Sequence, residues 1–243
     1  MKRYFAVILA AILIFCGTMA LSSCGNKDKA SVENEQQMED KASDKNEQQQ
    51  EDKASVKNEQ QEENRAPGMK GQLLEVYDVK GSEATARLTI DGKVLFTTTV
   101  FIGKNGIGKT AEGDGKTPTG TLHVVKAFGV KAKPRGCKFQ YIDVTPTTYA
   151  CDDDCEWYNQ IIDVSKVGHE CHGEDMYNIV PQYNYGLTTD YNAECDHSKG
   201  SNIFIHCKHT KRRFTAGCIA FDEDKMVEIL NHCDTSLIVK ITN

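Results

Sequence analysis

The sequence runs to 243 residues with 29 Lys/Arg against 35 Asp/Glu, a net charge of −6. The acidity is concentrated in residues 24–66, which hold seven Lys/Arg and twelve Asp/Glu, so it describes that tract rather than a binding face. No basic stripe with interleaved aromatics is present, which argues against a nucleic-acid partner, while residues 67–243 are long enough to bury a core unaided.

Met1-Lys2-Arg3 is a short positive segment, and Tyr4–Phe15 continues as an apolar run. Leu21-Ser22-Ser23-Cys24 follows, with small residues where a secretory signal is cleaved. A leucine three positions before a cysteine, with two small residues between, resembles the bacterial lipobox. That resemblance implies a signal peptide over 1–23, cleavage before Cys24 and a lipid anchor on its sulfur. The other reading is an uncleaved anchor helix, because Tyr4 to Leu21 is just long enough to span a membrane. Both place the rest of the chain outside the cytoplasmic membrane, in the periplasm or at the cell surface.

Residues 27–62 are three copies of a twelve-residue unit, KDKASVENEQQM, EDKASDKNEQQQ and EDKASVKNEQQE. Each copy has at most one or two apolar residues, so no helix face is available to bury. Low hydrophobicity with abundant Glu, Gln, Lys and Ser predicts a disordered linker over 24–66. Such a tether would span roughly 35 Å. Arg65-Ala66-Pro67-Gly68 marks its end, and a single domain is expected over 67–243.

Within that domain Gln72–Val79 and Ala84–Ile90 alternate apolar and polar residues, the pattern of half-buried strands. Asp91-Gly92 then predicts a hairpin into a strand over Lys93–Ile102. Ile102–Leu122 is glycine-rich, and Gly103, Gly108, Lys109 and Thr110 formally match a phosphate-binding loop. The Ala-Glu-Gly-Asp-Gly that follows cannot continue as a helix, so the context for a nucleotide site is wrong. Thr121–Phe128 reads as a strand, Trp157–Asn159 as a short helical turn and Tyr183–Tyr191 as strand-like. Ser201–His206 is a strand. Asp222 should cap a helix running to about His232, with Met226, Ile229 and Leu230 on one face, and Leu237–Ile241 closes the domain as a strand. Strands dominate and helices are short, so the fold class is mainly β.

The chemistry concentrates in Ser201–Phe221. The apolar run Ile203-Phe204-Ile205 ends on His206, and Thr215-Ala216-Gly217-Cys218 follows a basic loop. A small Ala-Gly pair before a cysteine lets substrate approach the sulfur. A histidine ending the preceding strand can take the thiol proton, the pairing that cysteine acyl transfer needs. The same residues also fit a strand, a loop and a buried structural cysteine.

Two stretches together resemble the catalytic domain of the bacterial L,D-transpeptidases, the cysteine enzymes that cross-link peptidoglycan. One is Gly103–Gly106 through Gly113-Asp114-Gly115-Lys116-Thr117-Pro118-Thr119-Gly120. The other is Ile205-His206 with Thr215-Ala216-Gly217-Cys218. The resemblance implies a β-rich catalytic fold, Cys218 as nucleophile and His206 as general base and acid. It also implies peptidoglycan stem peptides as partners and no cofactor. Gly217, Thr215, Arg213 and Ser201 are the candidate substrate-binding residues, and a monomer is expected. Departures are visible: Ala216 replaces a histidine, and Ala220 stands where the family keeps Arg or Asn. Lys211, Arg212 or Arg213 would then supply positive charge near a stem-peptide carboxylate, unless that run is a solvated loop. The acyl-enzyme implied is a thioester on Cys218 formed with loss of D-alanine. Attack by an amine gives a 3→3 cross-link and attack by water gives an L,D-carboxypeptidase. A peptidoglycan-binding lipoprotein without turnover is the non-enzymatic reading.

Beyond Cys16 and Cys24, eight cysteines remain. Cys151 and Cys155 are near enough to pair with each other or with Cys171, and connectivity does not follow from sequence. Cys151, Cys155, His169, Cys171 and His172 have metal-ligand chemistry but lack the paired C-x-x-C spacing of strong zinc sites, so no metal is assigned. Cys207, adjacent to His206 on a strand, should face the opposite side as core.

Overall fold

The computed structural model describes residues 71–243. The signal segment, Cys24 and the repeat tract lie outside the described residues.

Twelve strands and two helices are present among the described residues. In order they are β1 (Gln72–Lys80), β2 (Glu83–Ile90), β3 (Lys93–Phe101), β4 (Gly120–Gly129), β5 (Tyr141–Asp143), β6 (Thr148–Cys151), β7 (Gln160–Asp163), α1 (Val164–Val167), β8 (Glu174–Asp175), β9 (Gly186–Thr189), β10 (Phe204–Cys207), β11 (Ile219–Phe221), α2 (Glu223–His232) and β12 (Ile238–Ile241). The expectation of a mainly β fold holds. The Asp91-Gly92 hairpin forms as predicted, with both residues at positive φ (51° and 77°), the geometry a two-residue turn needs.

Nine strands make one sheet in the order β12-β1-β2-β3-β11-β10-β9-β4-β5, and β12 also pairs with β4. Val239 therefore stands beside Leu74 of β1 in parallel and beside Leu122 of β4 in antiparallel register, closing eight strands into a ring. Alternation along each strand sends Leu74, Val76, Leu88, Val100, Leu122 and Ile205 into a common core. Helix α2 contributes Met226, Ile229 and Leu230 to that core, the three residues its spacing predicted. Asp222 precedes α2 with extended backbone but makes no side-chain cap; its carboxylate pairs with Lys208 instead.

Trp157–Asn159 is a turn, as read, and Asn159 at φ 62° keeps it from running on as helix. Differences from the sequence reading have local causes. Of Tyr183–Tyr191 only Gly186–Thr189 is strand, because Gln182–Asn184 forms a 3-10 turn. The irregular middle of the chain holds a small separate sheet, β7-β6-β8, too short in each strand to show a periodicity.

Candidate active site

Strands β10 and β11 pair in parallel, with His206 opposite Ala220 and Ile205 opposite Ile219. Ile205 and Cys207 point into the main core, as expected for Cys207, whereas Phe204 joins a second cluster on the opposite face. That cluster contains Phe128, Met176 and Tyr183, with Cys218 packed against it. Two residues before Ala220, Cys218 falls on the same face of the strand as its partner row, beside Phe204. Sequence position thus delivers a thiol and an imidazole to one surface through two short neighbouring strands.

The loop carrying Cys218 is held by the glycine-rich stretch. Thr117 is fully buried; its N–H-accepting hydroxyl takes the Gly103 N–H (2.9 Å) and donates to the Gly217 carbonyl (2.7 Å). Thr215 N donates to the Ile102 carbonyl and Lys104 N donates to the Thr215 carbonyl, both at 2.9 Å. A Cβ on Gly217 would meet the Lys116 carbonyl at 2.9 Å and Ile203 Cδ1 at 2.8 Å, so only glycine permits this approach. The two motifs of the family resemblance are therefore one object in space. Lys109 is buried against Asp114 at 3.0 Å inside this loop. It is not presented as a phosphate-binding lysine.

Cys218 Sγ accepts the Phe204 N–H at 3.3 Å and its thiol donates to the Asn202 carbonyl at 3.2 Å. Burial pushes the thiol up to about 12; the nearby Glu174 carboxylate adds to this, while the Phe204 N–H and Lys109 oppose it. Burial drives His206 the other way, down to about 4, partly offset by its bond to the Cys207 carbonyl. That bond, His206 Nδ1 to Cys207 O at 2.7 Å, requires a proton on Nδ1 and leaves Nε2 as the acceptor. No hydrogen bond joins His206 to Cys218. At rest the site is a neutral thiol and a neutral imidazole on one wall.

Two clefts meet at Cys218. One of about 390 Å³ is lined by Phe101, Tyr183, His206, Phe214, Cys218 and Ala220. The other, about 320 Å³, is lined by Lys109, Glu112, Ser201, Asn202, Gly217 and Cys218. Arg212, Thr215 and Glu174 border both. Ser201 thus lies on the second cleft, where its hydroxyl donates to Glu112 at 2.8 Å. Thr215 takes the Gly217 N–H (3.1 Å) and donates to the Cys218 carbonyl (2.7 Å), so it shapes the nucleophile's loop. Arg213 is placed apart: it pairs with Glu83 at 2.9 Å, covers the Phe101 ring and lines a third cleft containing neither Cys218 nor His206.

Sequence reasoning missed Glu174 and Tyr183. Tyr183 packs edge-on to His206 with centroids 5.6 Å apart, and its hydroxyl donates to Glu174. Burial raises the Glu174 carboxyl above the usual range despite that bond. Glu174 comes from the irregular region, where no pattern marks it, and Tyr183 was read only as the start of a strand-like segment.

Comparisons with known proteins agree with the motifs. No curated protein matches the chain. Two solved structures of the helical cell shape determining protein Pgp2 from Campylobacter jejuni, one a Lys-to-Ala variant, are among those the chain is similar to. They show 16% and 15% identity with a TM-score of 0.39 in each case, the variant first. The alignments cover 72% and 71% of this chain and 47% and 48% of those, so the chain spans under half the length of these structures. Residues 75–241, more than half of the sequence, match the YkuD family, described as the L,D-transpeptidase catalytic domain. With an imidazole on β10, a thiol at the loop residue that leads into its neighbour β11 and the glycine-rich stretch bonded to that loop, the chain belongs to the YkuD family of L,D-transpeptidase catalytic domains.

Proposed function

We propose that this chain is a peptidoglycan L,D-transpeptidase that forms 3→3 cross-links from tetrapeptide stems through a thioester on Cys218. The observation that carries the reading is the meeting of two clefts at a cysteine whose wall also holds an imidazole with a free acceptor nitrogen. An acyl donor and an acceptor each need an approach to the same sulfur, and two clefts provide them.

The neutral pair favours concerted base catalysis over a preformed thiolate. As Sγ bonds to the carbonyl carbon beside the terminal D-alanine, His206 Nε2 takes the thiol proton. The C–N bond to D-alanine then breaks and the imidazolium protonates the leaving amine. The amine of a second stem attacks the thioester, loses its proton to Nε2, and sulfur departs to recover that proton. The Cys207 carbonyl is the third group orienting the imidazole. Because the Gly217 N–H is engaged by Thr215, the Cys218 N–H is the backbone donor left beside the sulfur for the oxyanion, a contribution of about 3 kcal/mol.

Arg212, bordering both clefts, supplies the positive charge that Ala220 does not. Arg213, Thr215 and Gly217 act on substrate indirectly, through the loops they hold. Cys24 is the lipid-bearing residue of a monomer held at the cell envelope through the tract 24–66.

Incubating the purified chain with a tetrapeptide muropeptide should release D-alanine and give a cross-linked dimer. D-Alanine without a dimer would make it an L,D-carboxypeptidase, and neither product would leave a peptidoglycan-binding protein. Metabolic labelling with a lipid precursor should be lost in Cys24→Ala.

A further inference from the structure

Away from the clefts, the small β7-β6-β8 sheet has a sparse core. Its fully or nearly buried members are Cys151, Cys171 and Ile162. So little apolar surface is a weak anchor for four loops, and small cores of this kind are commonly stapled. The staple here is written in side chains. Cys151 Sγ lies 3.7 Å from Cys155 Sγ and 3.9 Å from His169 Nε2; Cys155 Sγ lies 3.5 Å from the same nitrogen. Cys151, Asp153, His169 and Cys171 present ligand atoms within 4.8 Å of one another, and Cys155 joins them through Cys151 and His169.

We infer that Cys151, Cys155, His169 and Cys171 form a structural zinc site. Zinc–sulfur bonds of about 2.3 Å and zinc–nitrogen bonds of about 2.0 Å set tetrahedral edges of about 3.8 Å between sulfurs and about 3.5 Å from sulfur to nitrogen. The Cys151–Cys155 and Cys155–His169 distances match those edges before any ion is considered, Cys151–His169 is somewhat longer, and Cys171 lies within 4.8 Å of Cys151 and His169. A second, independent feature is the set of backbone donors aimed at sulfur. Trp157 N donates to Cys155 Sγ at 3.4 Å and Gly173 N to Cys171 Sγ at 3.3 Å, the outer-shell bonds that hold thiolate ligands in place. A disulfide would use two of the three sulfurs and leave the third thiol and the imidazole facing it. One ion uses all four groups.

Asp153 is the competitor for the fourth position, since its carboxylate lies 3.4 Å from His169 Nε2. It already accepts the His172 N–H at 2.9 Å, and zinc with two thiolates in place favours the third. His172 is largely exposed and stays outside the set. Four protein ligands close the coordination sphere, so the ion would brace the fold rather than activate water. The brace reaches the nucleophile: the Cys151 carbonyl accepts from Asn202 Nδ2 at 3.3 Å, and the Asn202 carbonyl accepts the Cys218 thiol. The spacing C-x-x-x-C followed by H-x-C hid this set, because convergence comes from the turn at Asp153–Asn159 and the return of the chain after α1.

The test is metal analysis of the full chain, purified without chelators. About one zinc per chain is expected. Cys171→Ser, Cys155→Ser and His169→Ala should each weaken zinc binding at least about ten-fold, whereas Asp153→Asn, Cys195→Ser and Cys218→Ser should retain it. Should the ligand variants fail to fold, cobalt(II) added to the metal-stripped wild type settles the matter. Intense tetrahedral bands with thiolate charge transfer are expected. Absence of metal together with a mapped disulfide among Cys151, Cys155 and Cys171, or loss of zinc in Cys218→Ser, would overturn the assignment. Retention in Cys155→Ser with loss in Asp153→Asn would overturn the fourth ligand.

Discussion

His206 stands directly opposite Ala220 in the β10–β11 pairing, and both line the cleft that also reaches Cys218, two residues before Ala220. Ala220 is almost fully buried and borders the cleft, so a larger side chain there would take its room from the neighbouring strands and from the cleft beside the ring. Ala220→Leu should cost about 1–3 kcal/mol of stability through overpacking. It should also lower kcat about 100-fold through displaced geometry. Chemical denaturation beside a D-alanine release assay checks both, and full turnover in a stable variant would refute the relationship.

The burial of His206 has a pH signature. Its folded value, about 4, lies below the ordinary 6.5, so between those limits the unfolded chain binds a proton that the native site refuses. Stability contributed by this group is complete above pH 6.5 and falls as pH drops toward 4, by roughly 3 kcal/mol. Urea unfolding at pH 4.5 and 7.5 should show the loss in wild type and a flatter profile in His206→Gln. Equal slopes would mean the imidazole is not the group refusing the proton.

A thiol raised to about 12 is a poor target for simple alkylation yet remains open to a substrate that brings its carbonyl beside the base. Iodoacetamide should therefore modify Cys218 far more slowly than an unperturbed thiol at pH 7.5. A carbapenem should add once per chain, visible as an intact-mass shift absent from Cys218→Ser. Rapid alkylation of Cys218 would point to a standing thiolate instead.

Thr117 joins Gly103 to Gly217 through one buried hydroxyl. Thr117→Val keeps the shape and strands an N–H and a carbonyl, at about 1–3 kcal/mol for each group left unpaired. Denaturation midpoints should drop accordingly, and turnover should fall with them as the Cys218 loop loosens. A change below about 0.5 kcal/mol would show that water replaces the bridge.

Arg212 and Arg213 separate two uses of neighbouring charges. Arg212→Ala should raise KM about ten-fold, the loss of one charge-assisted bond, with little change in melting. Arg213→Ala should leave KM near wild type, since its guanidinium serves Glu83 and Phe101. Reversed effects would move the carboxylate-binding role to Arg213.

Much of this was legible in the residues. Alternation in Gln72–Ile102, the Asp-Gly turn and the Met226/Ile229/Leu230 stripe each report a single local periodicity, and each appears in the fold. The Cys218 and His206 motif was visible because family resemblance rests on contiguous residues. Glu174 and Tyr183 were not, because their place is set by how short strands and turns cross, which no window of sequence contains; the Cys151, Cys155, His169 and Cys171 set was readable as ligand chemistry, but not its convergence. Ring closure was equally hidden: Leu237–Ile241 reads as a strand, but nothing in it says that it has two partners.

That double pairing has a kinetic consequence. Strand β12 joins Leu73 to Ile238 across most of the described chain, so the ring shuts only after nearly every residue is available. Contacts this distant in sequence make slow folders, and until then β1 and β4 each expose an open edge.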